Sequence, residues 1–163
     1  GGGEGGRGAG AVGGFGRIVV EGEAWRGVRQ QGAWGDGRTL VVPPPDDPGG
    51  VGLVALESNL RSLAAGQGLV ASSRKVRILG SMALSIAHTA AGAFDAFCAP
   101  IPMRLFDMSA SLLILSEAGG TATDLKGGPL GGLTCNLETR TTLLCSPTAE
   151  LHAAALKAVA SSR

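Results

Sequence analysis

The sequence predicts a layered α/β domain. Short apolar runs alternate with longer stretches of helical pattern from Val51 to the C-terminus, and such alternation is the signature of helices packed on a sheet. Clusters of Gly, Pro, Asp and Ser punctuate these runs and separate the elements. The apolar share of 44% supplies a core, yet aromatics make up only 4% and Tyr is absent. That core is therefore built from Leu, Val, Ile and Ala, and a length of 163 residues gives room for one domain.

Residues 1–16, GGGEGGRGAGAVGGFG, are low-complexity and are expected to form a flexible leader, since they bury too little surface to offset ordering. Their G-x-G-like spacings have no strand before them and no clear helix after them, so they make a poor phosphate cradle. Residues 17–42 read as strands joined by turns. Ile18-Val19-Val20 is β-branched, Glu21-Gly22 turns the chain, and Gly32-Ala33-Trp34-Gly35-Asp36-Gly37 supplies a turn whose Asp-Gly favours positive φ. Trp25 and Trp34 are read as packing residues. Residues 43–50, PPPDDPGG, break regular structure and form a connection. Residues 51–163 form the main α/β part. A buried strand spans 51–56, and Ser58 or Asn59 caps a helix through about Leu69. A short strand covers 76–79, Gly80-Ser81 leads into a helix over 82–91, and 94–98 is extended. Asp107 opens a helix through about Ala118, Gly119-Gly120 stops it, and 121–124 and 141–145 are strands. Ser146-Pro147 starts the closing helix over 149–159.

The net charge of +1 carries neither a nucleic-acid footprint nor an acidic tail. The longest stretch free of Asp, Glu, Lys and Arg runs from Ile78 to Phe94. It mixes strand and helix signals with Gly, Ser and His88, so it reads as buried protein and not as a membrane span. No secretory signal pattern is present. Cys98, Cys135 and Cys145 are odd in number, widely spaced and match no zinc or redox motif, so they read as reduced buried thiols of a cytoplasmic protein.

Candidate chemistry gathers in residues 76–124. Ser81 stands at a strand-to-helix junction, where unpaired N–H groups and the helix dipole favour an anion. It serves as a helix cap or as a ligand contact, and the two roles can coexist. Asp107 reads as an N-cap or as an oxygen ligand for a hard cation such as Mg²⁺. Arg77 pairs with phosphate, or forms a surface salt bridge or a solvated end. His88, inside an apolar helical pattern, reads as a satisfied packing residue before it reads as a base. Glu117 and Asp124 flank the Gly-Gly stop and have turn or capping roles. Asp46-Asp47 sits among Pro and Gly with the wrong spacing for an acidic metal loop.

Taken together, these pieces resemble a known family. Arg77-Ile78-Leu79-Gly80-Ser81-Met82-Ala83-Leu84, Ala91-Gly92-Ala93-Phe94-Asp95-Ala96, Phe106-Asp107-Met108-Ser109-Ala110 and Glu117-Ala118-Gly119-Gly120-Thr121-Ala122-Thr123-Asp124 are similar in order and spacing to the C-terminal half of the inositol monophosphatase family, which includes the archaeal-type fructose bisphosphatases. Weaker similarity covers residues 17–40, where Arg26-Gly27 to Gly37 looks like the family's R-G-x-G-A-x-x-N-G turn, and the C-terminal helix. The resemblance implies an αβαβα sandwich, of which this chain holds the end of the N-terminal half (17–42) and the C-terminal half (51–163). It implies Mg²⁺-dependent hydrolysis of a small sugar or inositol phosphate by in-line attack at clustered metal ions, with a homodimer following from the same likeness. Asp107 falls on a metal-binding and substrate-side Asp, Gly80, Ser81 and Met82 on the helix start that holds substrate, and Arg77 on a substrate contact of archaeal-type members.

Departures accompany these matches. Phe106 replaces the usual Trp, and the Glu that reads inositol hydroxyls in animal-type members has no counterpart near Ala99-Pro100. The family's G-E-E and D-P-x-D-G-T motifs, which supply most metal ligands and orient the attacking water, occur nowhere in the chain. No catalytic residue is therefore assigned here, and the chain is expected to be an incomplete form of an active parent and nearly inactive alone. The competing expectation is a non-catalytic sugar-phosphate-binding or dimerisation module on the same half-fold.

Overall fold

A computed structural model of the protein describes residues 15–20, 22–42, 44 and 50–161. The expected leader lies outside these apart from Phe15 and Gly16, as does most of the 43–50 connection with Asp46 and Asp47. Strands β1 (Phe15–Val20), β2 (Glu23–Val28), β3 (Gly32–Gly35) and β4 (Arg38–Thr39) form an antiparallel sheet in chain order. Of the turn expected over 32–37, Gly32–Gly35 is strand β3, and only Asp36-Gly37 turns, with φ of 48° and 78°, the double positive-φ hairpin expected of that pair. Asp36 Oδ1 accepts the Ala24 N–H at 2.8 Å and ties the turn to β2.

The inner face of this sheet buries Trp25 and Ala33 against α4 (Leu105–Glu117). Gly27 permits the close approach, because a Cβ there would lie 2.9 Å from Ile114 Cα. Trp34 packs on the other face beneath the Arg26 guanidinium, 4.6 Å from the ring centre. Phe15 and Val19 are exposed on the same side as Arg26.

The second sheet contains β5 (Val51–Leu56), β6 (Ser73–Arg77), β7 (Ala96–Arg104), β8 (Thr121–Thr123) and β9 (Arg140–Ser146), ordered β6-β5-β7-β9-β8. β5 runs parallel to both β6 and β7, whereas β9 is antiparallel to β7 and β8. Side chains alternate between two cores, as the strand period of two requires. Ala55, Phe97, Ala99, Leu143 and Cys145 face α3 (Met82–Ala90) and α4. Val54, Leu56, Ala96, Cys98 and Leu144 face α2 (Gln67–Ser72) and α5 (Ala149–Ala160). Burial on both faces explains why these strands read as unbroken apolar runs. Sheet, helix pair, sheet and helices make four of the five layers of an αβαβα sandwich among the described residues.

Several elements differ from expectation. The helix over 58–69 divides at Gly66 into α1 (Leu60–Ala65), capped by Asn59, and α2. β6 lies at Ser73–Arg77 and not at 76–79, so Ile78 and Leu79 are exposed and the charge-free stretch is not buried at its start. β7 continues well past Cys98 to Arg104, with a register shift between Ala99 and Met103. Pro100 and Pro102 fall inside that irregularity, where a residue without an N–H does least harm to the ladder. Because β7 runs directly into α4, the N-cap of α4 is Arg104, which makes no side-chain cap bond, and Asp107 sits within the first turn. The expected capping role of Asp107 is thereby corrected.

The remaining polar residues act as ties. Glu117 accepts the Gln30 and Gly32 N–H groups at 3.0 and 3.1 Å, joining α4 to the β2–β3 turn. Asp124 accepts those of Lys126 and Gly128, and Asp95 those of Gly52 and Leu53. All three cysteines are free, and Cys98 and Cys145 are buried. Burial pushes the Cys98 thiol up to about 12 and raises that of Cys145 as well. Cys135, expected to be buried, is only half-buried. No helix among the described residues is long and apolar enough to cross a membrane.

Candidate functional site

The carboxyl ends of parallel strands are where α/β sheets collect ligands, and β5 is the strand with parallel neighbours on both sides. Its pairing sets Ala55 beside Arg77 and Leu56 beside Cys98. Glu57 is the first residue beyond it, with its N–H still bonded to the Cys98 carbonyl at 3.1 Å. The Glu57 carboxylate accepts the Asn59 N–H at 2.8 Å, the Ser62 hydroxyl at 3.0 Å and the Ser58 hydroxyl at 3.2 Å. Burial pushes the Glu57 carboxyl up, but the hydrogen bonds from Asn59, Ser62 and Ser58 outweigh it and hold the group below its ordinary value. Glu57 is thus an anion at neutral pH.

The start of α3 lies opposite. Gly80, at φ 74°, turns the chain out of the strand edge, a conformation that a side chain would strain. Ser81 then caps α3, its Oγ accepting the Leu84 N–H at 3.3 Å. Its carbonyl receives the N–H and the hydroxyl of Ser85 at 3.0 and 2.8 Å. Helix geometry leaves the Met82 and Ala83 N–H groups without an intrahelical acceptor. Ile86, Ala87 and Ala90 anchor the buried face of the helix. Between these two elements lies a cavity of about 130 Å³. Its polar lining is Glu57, Ser58, Gly80, Ser81 and Ser85, and its apolar lining is Leu56, Met82 and Phe97. Such a site offers helix N–H donors, hydroxyls and one fixed carboxylate to a small polar ligand.

Gly80, Ser81 and Met82 are thus brought together, and Ser81 fulfils its capping role. Arg77 and Asp107 do not line this cavity. Arg77 is exposed at the end of β6, its Nη1 donating to the Val76 carbonyl at 3.0 Å. Asp107 is exposed on the first turn of α4, with Arg104 Nε 3.5 Å away. His88 packs edge-on against Trp25 and Phe94, with ring centres 5.0 and 5.9 Å apart, and lies 3.7 Å from Glu23. That arrangement is the packing role expected of it. Glu57 was not singled out by sequence reasoning. The available signal was a carboxylate placed directly after an apolar strand run and ahead of the Ser-Asn cap.

The metal implied by the resemblance finds little support in the donor set. Among the described residues no three His, Cys, Asp or Glu come together to hold an ion. Asp107 faces a guanidinium instead of other oxygen donors. The described residues do not by themselves fit a metal centre.

A larger cavity of about 500 Å³ lies along α4. Leu112, Leu113, Leu130, Leu133 and the half-buried Cys135 form much of its wall. Arg29, Ser109, Ser116, Glu117, Thr121 and the first residue of α4, Leu105, also line it, but the Glu117 carboxylate is already taken by the Gln30 and Gly32 N–H groups.

Fold and cavity define a layered α/β protein with a small polar site at the carboxyl end of parallel strands. The chain belongs to the inositol monophosphatase family, whose model matches residues 9–163. It is 45% identical over 80 residues to a fructose-1,6-bisphosphatase/inositol-1-monophosphatase of Methanothermobacter thermautotrophicus, covering 48% of this chain and 28% of that protein. It is 31% identical over 133 residues to inositol monophosphatase 2 of Rattus norvegicus, covering 72% and 43%. In fold it is similar to an IMPase of Thermotoga maritima, with a TM-score of 0.76 and 22% identity over 91% of this chain and 56% of the other. The chain thus spans under half the length of these two curated relatives and just over half of that solved chain.

Proposed function

We propose that this chain supplies the substrate-orienting part of a phosphate-monoester hydrolase acting on a small phosphorylated sugar or inositol. One observation carries the reading: the segment that the resemblance links to substrate, Gly80-Ser81-Met82, lines a polar cavity at the carboxyl end of β5. The α3 start offers N–H groups and a positive dipole end to substrate oxygens, and the apolar lining from Leu56 and Phe97 limits water around them. Arg77, at the neighbouring strand end, adds a cation that a phosphorylated ligand can reach. We assign Mg²⁺ to the whole protein, with Asp107 as one ligand once it leaves Arg104, and further ligands from outside the described residues. The free cysteines support a cytoplasmic setting, and a homodimer belongs to the same proposal for the whole protein.

Phosphate release from inositol 1-phosphate and fructose 1,6-bisphosphate with Mg²⁺, together with calorimetric binding, tests this. The chain alone is expected to bind a phosphorylated sugar and to hydrolyse it at background rate. Turnover near an ordinary enzymatic ~10 s⁻¹, abolished by Asp107→Ala, would sink the claim that further ligands are needed. Binding of neither compound would remove the substrate role and leave a dimerisation module, read out by sedimentation.

A further inference from the structure

We propose that Glu57 sets the substrate class of the α3-start site, admitting the hydroxyl-bearing edge of a polyol monophosphate and turning away a second phosphate. This rests on the reading of that helix start as the substrate segment.

Glu57 and Ser81 come from different elements and line one cavity of about 130 Å³. Pockets that enclose a whole small ligand run to roughly 300–1,000 Å³, so this one takes an edge of a ligand. A carboxylate offers about four acceptor positions. The Asn59 N–H, the Ser62 hydroxyl and both the hydroxyl and the N–H of Ser58 take these up. The exposed Ser58 hydroxyl, the longest of the side-chain contacts at 3.2 Å, is the one a ligand hydroxyl can displace. A sugar hydroxyl suits this place because it both donates and accepts. It can donate to Glu57 while accepting an N–H from the start of α3. A phosphate dianion only accepts, and beside Glu57 it meets like charge with no proton to share.

The carboxylate is also held in place. Ser62, which donates to it, is buried on α1, and the Asn59 N–H that donates to it belongs to the residue capping that helix. Its geometry is therefore fixed before any ligand arrives, as a discriminating contact requires. The bonds that fix it also keep it ionised at neutral pH.

Calorimetry of the full chain at neutral pH, in chelator so that no metal masks the carboxylate, compares inositol 1-phosphate with fructose 1,6-bisphosphate. Wild type is expected to prefer the monophosphate by at least about tenfold, a modest like-charge penalty. Glu57→Gln should bring the two affinities together, mainly by strengthening the bisphosphate. If both compounds bind and Glu57→Gln leaves their ratio unchanged, Glu57 does not set the class. If wild type binds neither, the reading of the α3 start itself fails and takes this proposal with it. Should Glu57→Gln not fold, Ser62→Ala removes one donor and keeps the charge. The preference must then persist, and its reversal overturns the proposal.

Discussion

The starts of α3 and α4 look alike in the sequence, each with a small polar residue ahead of an apolar helical pattern, yet they fold into different things. α3 follows a break: Gly80 turns the chain, Ser81 caps the helix, and its first N–H groups border a concavity closed by the end of β5. α4 follows no break. β7 runs into it, Arg104 stands at the N-cap without a side-chain bond, and Asp107 lies exposed beside that arginine. A cap-type residue therefore marks a candidate site only where the backbone before it turns away and leaves room for a ligand.

The largest way to test this contrast is in the packing of α4. Met108 is 0% exposed and Phe106, two residues earlier, is 54% exposed. Met108→Ala is expected to cost about 2–5 kcal/mol, and Phe106→Ala to stay within about 0.5 kcal/mol, both by urea unfolding. Equal costs would mean that the first turn of α4 is not a surface turn. A smaller effect separates the caps. Ser81→Ala is expected to cost about 1 kcal/mol through the lost bond to Leu84. Arg104→Ala removes only an exposed ion pair and is expected to cost under about 0.5 kcal/mol. If Arg104→Ala proves as costly as Ser81→Ala, the β7–α4 junction is capped after all.

The α3 start was legible because all its signals are local: a glycine that tolerates positive φ, a serine that reaches the third N–H beyond it, and an apolar helical face. The Asp36-Gly37 hairpin was legible for the same reason. The capping role read for Asp107 failed because the start of α4 is decided far away, where β9 pairs Thr141 with Met103 and Arg140 with Arg104. That pairing carries β7 past two prolines that locally argue against a strand. Gly66 broke a helix whose apolar pattern continued through it, since a glycine is a permitted but weak helix residue. Glu57 escaped notice because its partners on α1 and its neighbours on α3 are set by the parallel pairing of β5 with β6 and β7, which no local pattern reveals.

The smallest expected effect uses pH to isolate the carboxylate at the α3 site. Glu57 in the folded chain titrates below its reference value of 4.5, so the unfolded chain binds its proton more readily. Its contribution to stability is complete above about pH 4.5 and is lost as pH falls through the folded value. Solvent around the group keeps that loss small. His152 must be separated from it. It is buried, its Nε2 lies 2.9 Å from Thr123 Oγ1, and its Nδ1 has no partner among the described residues. Burial pulls its pKa below 6.5, so the unfolded chain gains that proton first as pH drops. Stability is therefore full above about pH 6.5 and declines as pH falls toward the folded value. Urea midpoints followed from about pH 7.5 to about pH 3.5 should show both limbs. His152→Gln should flatten the upper limb and Glu57→Gln the lower. A change in the upper limb on Glu57→Gln would mean that the carboxylate is coupled to the α5 side of the sheet, and the separation of the α3 site from the rest of the fold would fail.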